Sequence, residues 1–248
     1  AKSRTILNLA CEQPVDPLKY FRMAFNRIAG KAVSVSRTGY TGDLGFEIWM
    51  DAADALVIWD ALMTAGHDYG ITPTGILAMD MARVEAGLFM LDVDYTSASH
   101  AWIPGQRSSP YEMGLGWTVN LDKQGYFVGR RALEREHREG TAWKLVGLEI
   151  DWEGLEREYA AVGMPPQVPA SAVRGSIPVY AGPRQVGYAS TSTWSPVLKK
   201  YIALVHLQQP YFTPGTKVEI EVTVEHHRRK SPATVVKLPF YDPEWKKK

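Results

Sequence analysis

The apolar and polar positions of this chain fall into two regimes. Up to about residue 142, helical and strand periods alternate; from about residue 143 the pattern is mostly that of short strands. The chain opens on AKSRTILNLA, where Ile6, Leu7 and Ala10 share one face at helical spacing, which predicts an amphipathic helix already in progress at the first residue. Residues 31–36, KAVSVS, alternate and predict a strand. Gly39 to Gly45 holds three glycines and predicts a turn, and Phe46 to Met50 predicts a second strand, so the two strands form a hairpin. Ala52 to Ala65 predicts a helix with Asp51 as N-cap, Leu56, Trp59 and Met63 on one face, and Gly66 at its end. Thr72-Pro73, a cap residue followed by proline, predicts the start of another helix carrying Leu77, Met81, Val84 and Leu88 at helical spacing, with Gly87 near its end. Residues 92–111 read as a polar loop, Leu115 to Leu121 as a strand, and Val128 to Arg138 as a charged surface helix.

Beyond residue 143, Lys144 to Ile150, Ile177 to Tyr180, Val186 to Thr193, Tyr201 to Leu207, Lys217 to Val224 and Ala233 to Lys237 read as strands between Gly and Pro turns. Six strands at this spacing predict a small barrel or sandwich. Residues 153–175, rich in Pro and Ala, read as an insertion. The expected class is α+β, with an α+β domain over 1–142 and a β domain over 143–248.

Composition narrows the picture only by exclusion. A chain of 248 residues can bury a substantial core, and a net charge of +1 with 22% charged residues calls for neither nucleic acid nor a membrane surface. No run reaches the ~18 apolar residues of a membrane span. The single cysteine, Cys11, cannot form an internal disulfide, which suits a reducing, cytoplasmic setting; it reads as a small apolar filler. Six histidines make no HExxH or comparable metal spacing. The basic cluster His226 to Lys230 has no interleaved aromatics and reads as a solvated turn. There is no P-loop and no GxSxG elbow.

One segment carries candidate chemistry: Ser36 to Glu47, SRTGYTGDLGFE. Its glycines permit positive φ and close backbone approach. Tyr40 and Glu47 flank the turn, and a glutamate offers two coplanar acceptor oxygens that match the paired N–H and NH2 donors on the edge of a pterin-like heterocycle. On spacing alone, a plain hairpin with a surface Glu and a half-buried Tyr is the favoured reading.

Thr38 to Glu47 resembles the TGYTGExGxE signature of the glycine-cleavage T-protein and its relatives, the aminomethyltransferase family, which include the folate domains of sarcosine and dimethylglycine dehydrogenases and folate-dependent demethylases. Further likenesses follow in the family's order. Met79 to Gly87, MDMARVEAG, is similar to RDSLRLEAG; Ser109 to Trp117, SPYEMGLGW, to TPxEAGLGW; Phe127 to Leu133, FVGRRAL, to FIGREAL; and Trp194-Ser195-Pro196 with Ile202-Ala203-Leu204 to TSGTFSPTLGKxIAL. The resemblance covers almost the whole chain. It implies a folate-binding domain followed by a C-terminal six-stranded β-barrel, a tetrahydrofolate cofactor held by Tyr40 and Glu47, and transfer of an aminomethyl or methyl unit from a small methylated or aminomethyl substrate.

The chain departs from the family where RDSLRLEAG begins with arginine, a folate-site residue: Met79 stands there, and reads as a core-packing methionine. LYGHD becomes Met90-Leu91-Asp92-Val93-Asp94, and the glycine of TSGTFSP becomes Ser192. These changes point to a divergent branch whose substrate is not the lipoyl-bound glycine intermediate. Lys2-Ser3-Arg4 resembles a segment well inside family members. The expectation is therefore that the N-terminal third lies upstream, that this segment is needed to complete the site, and that the family's catalytic aspartate lies within it; no catalytic residue is assigned here. A non-catalytic folate-binding module and an inactive fragment are the alternative readings. The KGCYxGQE motif of the iron–sulfur assembly relatives has no counterpart, since Lys123 to Arg130 holds no cysteine.

Overall fold

A computed structural model describes residues 2–243. They form two compact units, residues 2–83 with 242–243, and residues 84–241.

The first unit is built on a three-stranded antiparallel sheet in the order β1 (Met23–Ile28), β2 (Lys31–Ser36), β3 (Glu47–Met50). The hydrophobic pattern does not predict β1. Its signal is the two-residue link Ala29-Gly30, both at positive φ (49° and 73°), the geometry of a tight hairpin turn whose twist matches the strands. Alanine is an uncommon residue there, so the turn is hidden in the sequence. One sheet face supplies Val33, Val35 and Ile28 to a core shared with Leu7 and Cys11. Burial raises the Cys11 thiol pKa, as suits an apolar filler. The other face is left open: Phe25 and Trp49, both paired in register with Ser34, are 79% and 63% exposed.

Helix α1 (Ser3–Ala10) buries Ile6 and Leu7. A 3-10 turn over Ala52–Asp54, capped by Asp51 Oδ1 accepting from the Ala53 amide at 2.9 Å, leads into α2 (Ala55–Gly66). Its inward residue is Ile58, while Leu56 and Trp59 point to solvent at 77% and 51% exposure. The expected apolar face is thus rotated off the core. Gly66 is the last residue of the helix, and the position admits only glycine because the Ile71 side chain lies 2.6 Å from where a Cβ would stand. Helix α3 (Ile76–Glu85) begins later than Thr72-Pro73 predicts: the Thr72 hydroxyl turns back to the Gly70 carbonyl instead of capping it.

The second unit is dominated by a closed antiparallel barrel, β4 (Trp143–Ile150), β5 (Val173–Ala181), β6 (Arg184–Ser195), β7 (Lys200–Gln208), β8 (Lys217–Val224) and β9 (His227–Val236), in spatial order β4-β7-β6-β5-β8-β9 with β9 closing on β4. All six predicted strands are present. Closure gives every strand a partner on both sides and encloses a core of Leu148, Val179, Val186, Val205, Leu207, Ile220 and Val235. Strands β6 and β7 meet closely at Gly187, where an added Cβ would lie 2.1 Å from the His206 carbonyl oxygen.

Three expectations in this unit are corrected. His227 to Lys230 are not a turn but the start of β9, paired in register with Val224 to Glu221 of β8. Leu115 to Leu121 is not a strand but a 3-10 turn at Gly116–Thr118: Gly114 has φ 73°, and the Tyr111 ring fills the place of a Gly116 Cβ. Alternation is present there without a neighbouring strand to pair with. Within the Pro- and Ala-rich insertion, Trp152–Ala160 forms α5, whose N-cap Asp151 accepts from the Gly154 amide at 2.5 Å. Helix α4 (Arg130–Glu139) lies where expected.

Candidate functional site

Glu47 is the first residue of β3 and pairs in register with Ser36, the last residue of β2. The strands part beyond this pair, and the glycine-rich loop 37–46 bridges them. Tyr40 lies in that loop and is half-buried; it is not on a strand, as the hairpin reading had it. Glu47 itself is exposed.

The Glu47 carboxylate is held by two hydroxyls that sequence reasoning left unassigned. Thr38 Oγ1 donates to Glu47 Oε2. Ser36 Oγ lies 2.8 Å from Thr38 Oγ1 and 3.4 Å from the same carboxylate oxygen. Each hydroxyl has one proton. Thr38 spends its proton on the carboxylate, so Ser36 donates chiefly to Thr38, and the three form a polarised relay ending at Glu47. Oε1 has no hydrogen-bond partner among the described residues. The relay anchors Oε2 and leaves acceptor capacity on both oxygens. The available signal was the Ser-x-Thr spacing of residues 36 and 38, directly before the glycines.

In the same unit, the loop residues Thr41 and Asp43 face the first half of α3 across a cleft of about 690 Å³ lined also by Ile76, Met79 and Ala82. That volume is within the range of small-molecule pockets. Met79 is therefore not a core residue: it is 38% exposed and forms part of the cleft wall. Further along α3, Arg83 is fully buried, with its Nε 2.9 Å from Asp80 Oδ1. A buried guanidinium needs such a partner, so this pair pins the helix rather than facing a ligand.

The other recognised motifs prove to be clasps. Ser109 and Glu112 cap each other, the Ser109 amide donating to Glu112 Oε2 at 3.0 Å and the Glu112 amide to Ser109 Oγ at 3.1 Å. Burial raises the Glu112 pKa, the Ser109 amide opposes this, and nearby Glu136 adds to it. Arg130, at the start of α4, donates to the carbonyls of Leu121, Lys123 and Gly125 and pairs with Glu134. Ser195 Oγ donates to the buried Glu85 carboxylate at 2.5 Å.

The most elaborate clasp is Asp94, 2% exposed. Its Oδ1 accepts from Ser190 Oγ at 2.6 Å and Thr191 Oγ1 at 2.7 Å, and its Oδ2 from the Met90 amide at 2.8 Å. His206 Nε2 lies 2.6 Å from the Asp94 carbonyl oxygen; a carbonyl only accepts, so Nε2 carries the proton. The ring stacks on Tyr188 at 5.0 Å between centroids, and burial lowers its pKa. Among the described residues no group of three or more His, Cys, Asp or Glu side chains is placed to hold a metal, and no helix is long and apolar enough to cross a membrane.

Comparison with known proteins agrees with this architecture. Residues 1–123 match the family model described as the GCVT N-terminal domain, and residues 144–242 match the glycine cleavage T-protein C-terminal barrel domain. An aminomethyltransferase of Bacillus pumilus is 34% identical over 237 residues, which cover 95% of this chain and 57% of that protein. A trimethylamine-oxide aldolase of Ruegeria pomeroyi is 37% identical over 246 residues, covering 97% of this chain and 28% of that protein. The chain thus spans little more than half the length of the aminomethyltransferases it matches. The crystal structure of the glycine cleavage system aminomethyltransferase T from Bartonella henselae superposes with a TM-score of 0.65 at 16% identity, covering 97% of this chain and 82% of that one.

Proposed function

The chain belongs to the aminomethyltransferase family of the glycine-cleavage T-protein, and from that premise we propose that it serves tetrahydrofolate-dependent transfer of an aminomethyl or methyl unit from a small methylated or aminomethyl substrate. The observation that carries the proposal is the Glu47 carboxylate, exposed yet oriented by the Thr38 hydroxyl.

The residues present suit a pterin. Its paired N–H and NH2 donors call for two acceptor oxygens in one plane, and Glu47 offers both, one of them anchored beforehand by the Thr38 hydroxyl. Glu47 would hold that donor edge, and Tyr40, in the adjoining loop, would line the same ligand. Bound tetrahydrofolate would supply the nucleophilic nitrogen that receives the one-carbon unit. What this chain contributes is position: a fixed carboxylate, a half-buried tyrosine and a cleft wall. No residue is assigned a proton-transfer role. Completing the site with a further segment, as in the longer relatives, belongs to the same proposal.

Two observations favour a substrate other than the lipoyl-bound glycine intermediate. Met79 replaces a cation on the cleft wall with a thioether, and a relative as similar as the aminomethyltransferases bears the name trimethylamine-oxide aldolase.

Titration calorimetry with tetrahydrofolate tests the reading. Glu47→Gln puts an NH2 donor against a ligand donor and removes the charge. Losing a charge-assisted pair of about 2–3 kcal/mol predicts affinity lower by about 30- to 150-fold. Equal affinity of wild type and variant would remove Glu47 from the site.

A further inference from the structure

The second unit contains a cavity of about 600 Å³ that none of the chemistry above uses. Its floor is apolar, with Phe89, Met113, Leu115 and Leu238 drawn from one core cluster. Its walls are tied down. Gly87, at φ 68°, lets Leu238 and Pro239 approach to 3.2 Å from where its Cβ would stand, and the Tyr241 amide donates to the Glu85 carbonyl at 2.9 Å. Gly147 makes room in the same way for the Phe240 ring. The cavity is therefore bounded by strands and a hydrogen-bonded strap.

Three features give it a chemical preference. Trp117 lines it while 80% exposed, an unusual position for a residue whose burial is so favourable. Lys144 and Lys237 also line it, and neither has an ion pair or hydrogen bond among the described residues. In the barrel, Gly147 of β4 pairs with Val236 of β9, so the two lysines lie at one end of that strand pair and place two positive charges on one rim. Lys144 Nζ lies 5.9 Å from the centroid of the Phe212 ring, another lining residue. Apolar floor, exposed indole and paired ammonium groups are together complementary to a flat apolar body bearing an anion.

We propose that this cavity binds an aromatic carboxylate, its ring against Trp117 and the apolar floor and its carboxylate between Lys144 and Lys237. The site shares no residue with the Glu47 relay.

Calorimetry on the full chain with 2-naphthoate, and with 2-naphthylmethanol as the neutral counterpart of the same ring, tests it. Naphthoate binds and the alcohol binds more weakly. Lys144→Met and Lys237→Met, which keep an apolar stem, each weaken naphthoate by about 2- to 5-fold, as for exposed charge pairs. The double variant brings naphthoate to the level of the alcohol, whose own binding is unchanged. Trp117→Ala weakens both ligands. Glu47→Gln leaves naphthoate binding intact, which separates this site from the folate reading. Absence of naphthoate binding, equal binding of acid and alcohol in wild type, or an unaffected double variant would each overturn the proposal.

Discussion

Replacing Asp94 by asparagine weakens the clasp that joins the 90–94 loop to the barrel. The carboxylate is 2% exposed and accepts hydrogen bonds from Ser190 and Thr191 on β6 and from the Met90 amide. Asparagine has the same size and keeps one carbonyl oxygen. If that oxygen serves the two hydroxyls, the new NH2 faces the Met90 N–H, donor against donor. A hydrogen bond to a charged group contributes about 1.5–3 kcal/mol and a neutral one about 0.5–1.5. The two hydroxyl bonds, reduced to neutral strength, lose about 2–3 kcal/mol, and the stranded amide adds about 1–3 more. Relief of the buried charge's desolvation offsets part of this, leaving a net loss of about 3 kcal/mol. For a unit of this size that lowers Tm by about 6–12 °C. Urea and thermal denaturation, followed by near-UV circular dichroism, measure it. Ser190→Ala removes one of these charge-assisted bonds and loses about 1.5–3 kcal/mol. An Asp94→Asn variant whose stability stays within about 1 kcal/mol of wild type would refute the reasoning, because the bonds to the carboxylate would then do no more than balance its desolvation.

Three further outcomes follow from the same geometry. Gly187→Ala forces a Cβ to within 2.1 Å of the His206 carbonyl oxygen, so β6 and β7 must separate; the expected loss exceeds ~3 kcal/mol, against about 1 kcal/mol for Gly182→Ala, which has open space at φ 60°, and equal losses in denaturation would contradict the close approach. His206 has a folded pKa below its ordinary value of 6.5, so the unfolded chain binds the extra proton first; the stability from its neutral form is complete above about pH 6.5 and is lost as pH falls toward the folded value. His206→Gln flattens that part of the stability–pH curve, and an unchanged slope would assign the acid sensitivity to other groups. Thr38→Val keeps the shape of the relay but removes its proton; tetrahydrofolate affinity falls by about 2- to 10-fold with little loss of stability, whereas unchanged affinity would show that Glu47 needs no positioning.

The legible and illegible parts of the chain differ for identifiable reasons. The six barrel strands can be read because alternation along a closed barrel is imposed by an enclosed core, as in β8, where Val218, Ile220 and Val224 turn inward. Strand β1 escapes the pattern because its turn uses alanine at positive φ. The false strand at Leu115 has the right period but no partner edge, and pairing is a property of neighbours in space. The helix at Trp152–Ala160 is obscured by the prolines that follow it, although Asp151 and Glu153 mark its start.

The SRTGYTGDLGFE segment is identifiable by its resemblance to the family's TGYTGExGxE signature, since its residue types and spacing alone also suit a plain hairpin. The sequence by itself therefore determined the family and the barrel. Tertiary structure alone decided what each motif does. The Thr38 hydroxyl turns a surface glutamate into an oriented one; Met79 faces a cleft rather than the core; and Asp94 gathers Ser190, Thr191 and His206 from about a hundred residues away. Local pattern sets periodicity and turn chemistry, but hydrogen-bond partners and burial depend on which distant segments share a neighbourhood, and only the folded chain brings those segments together.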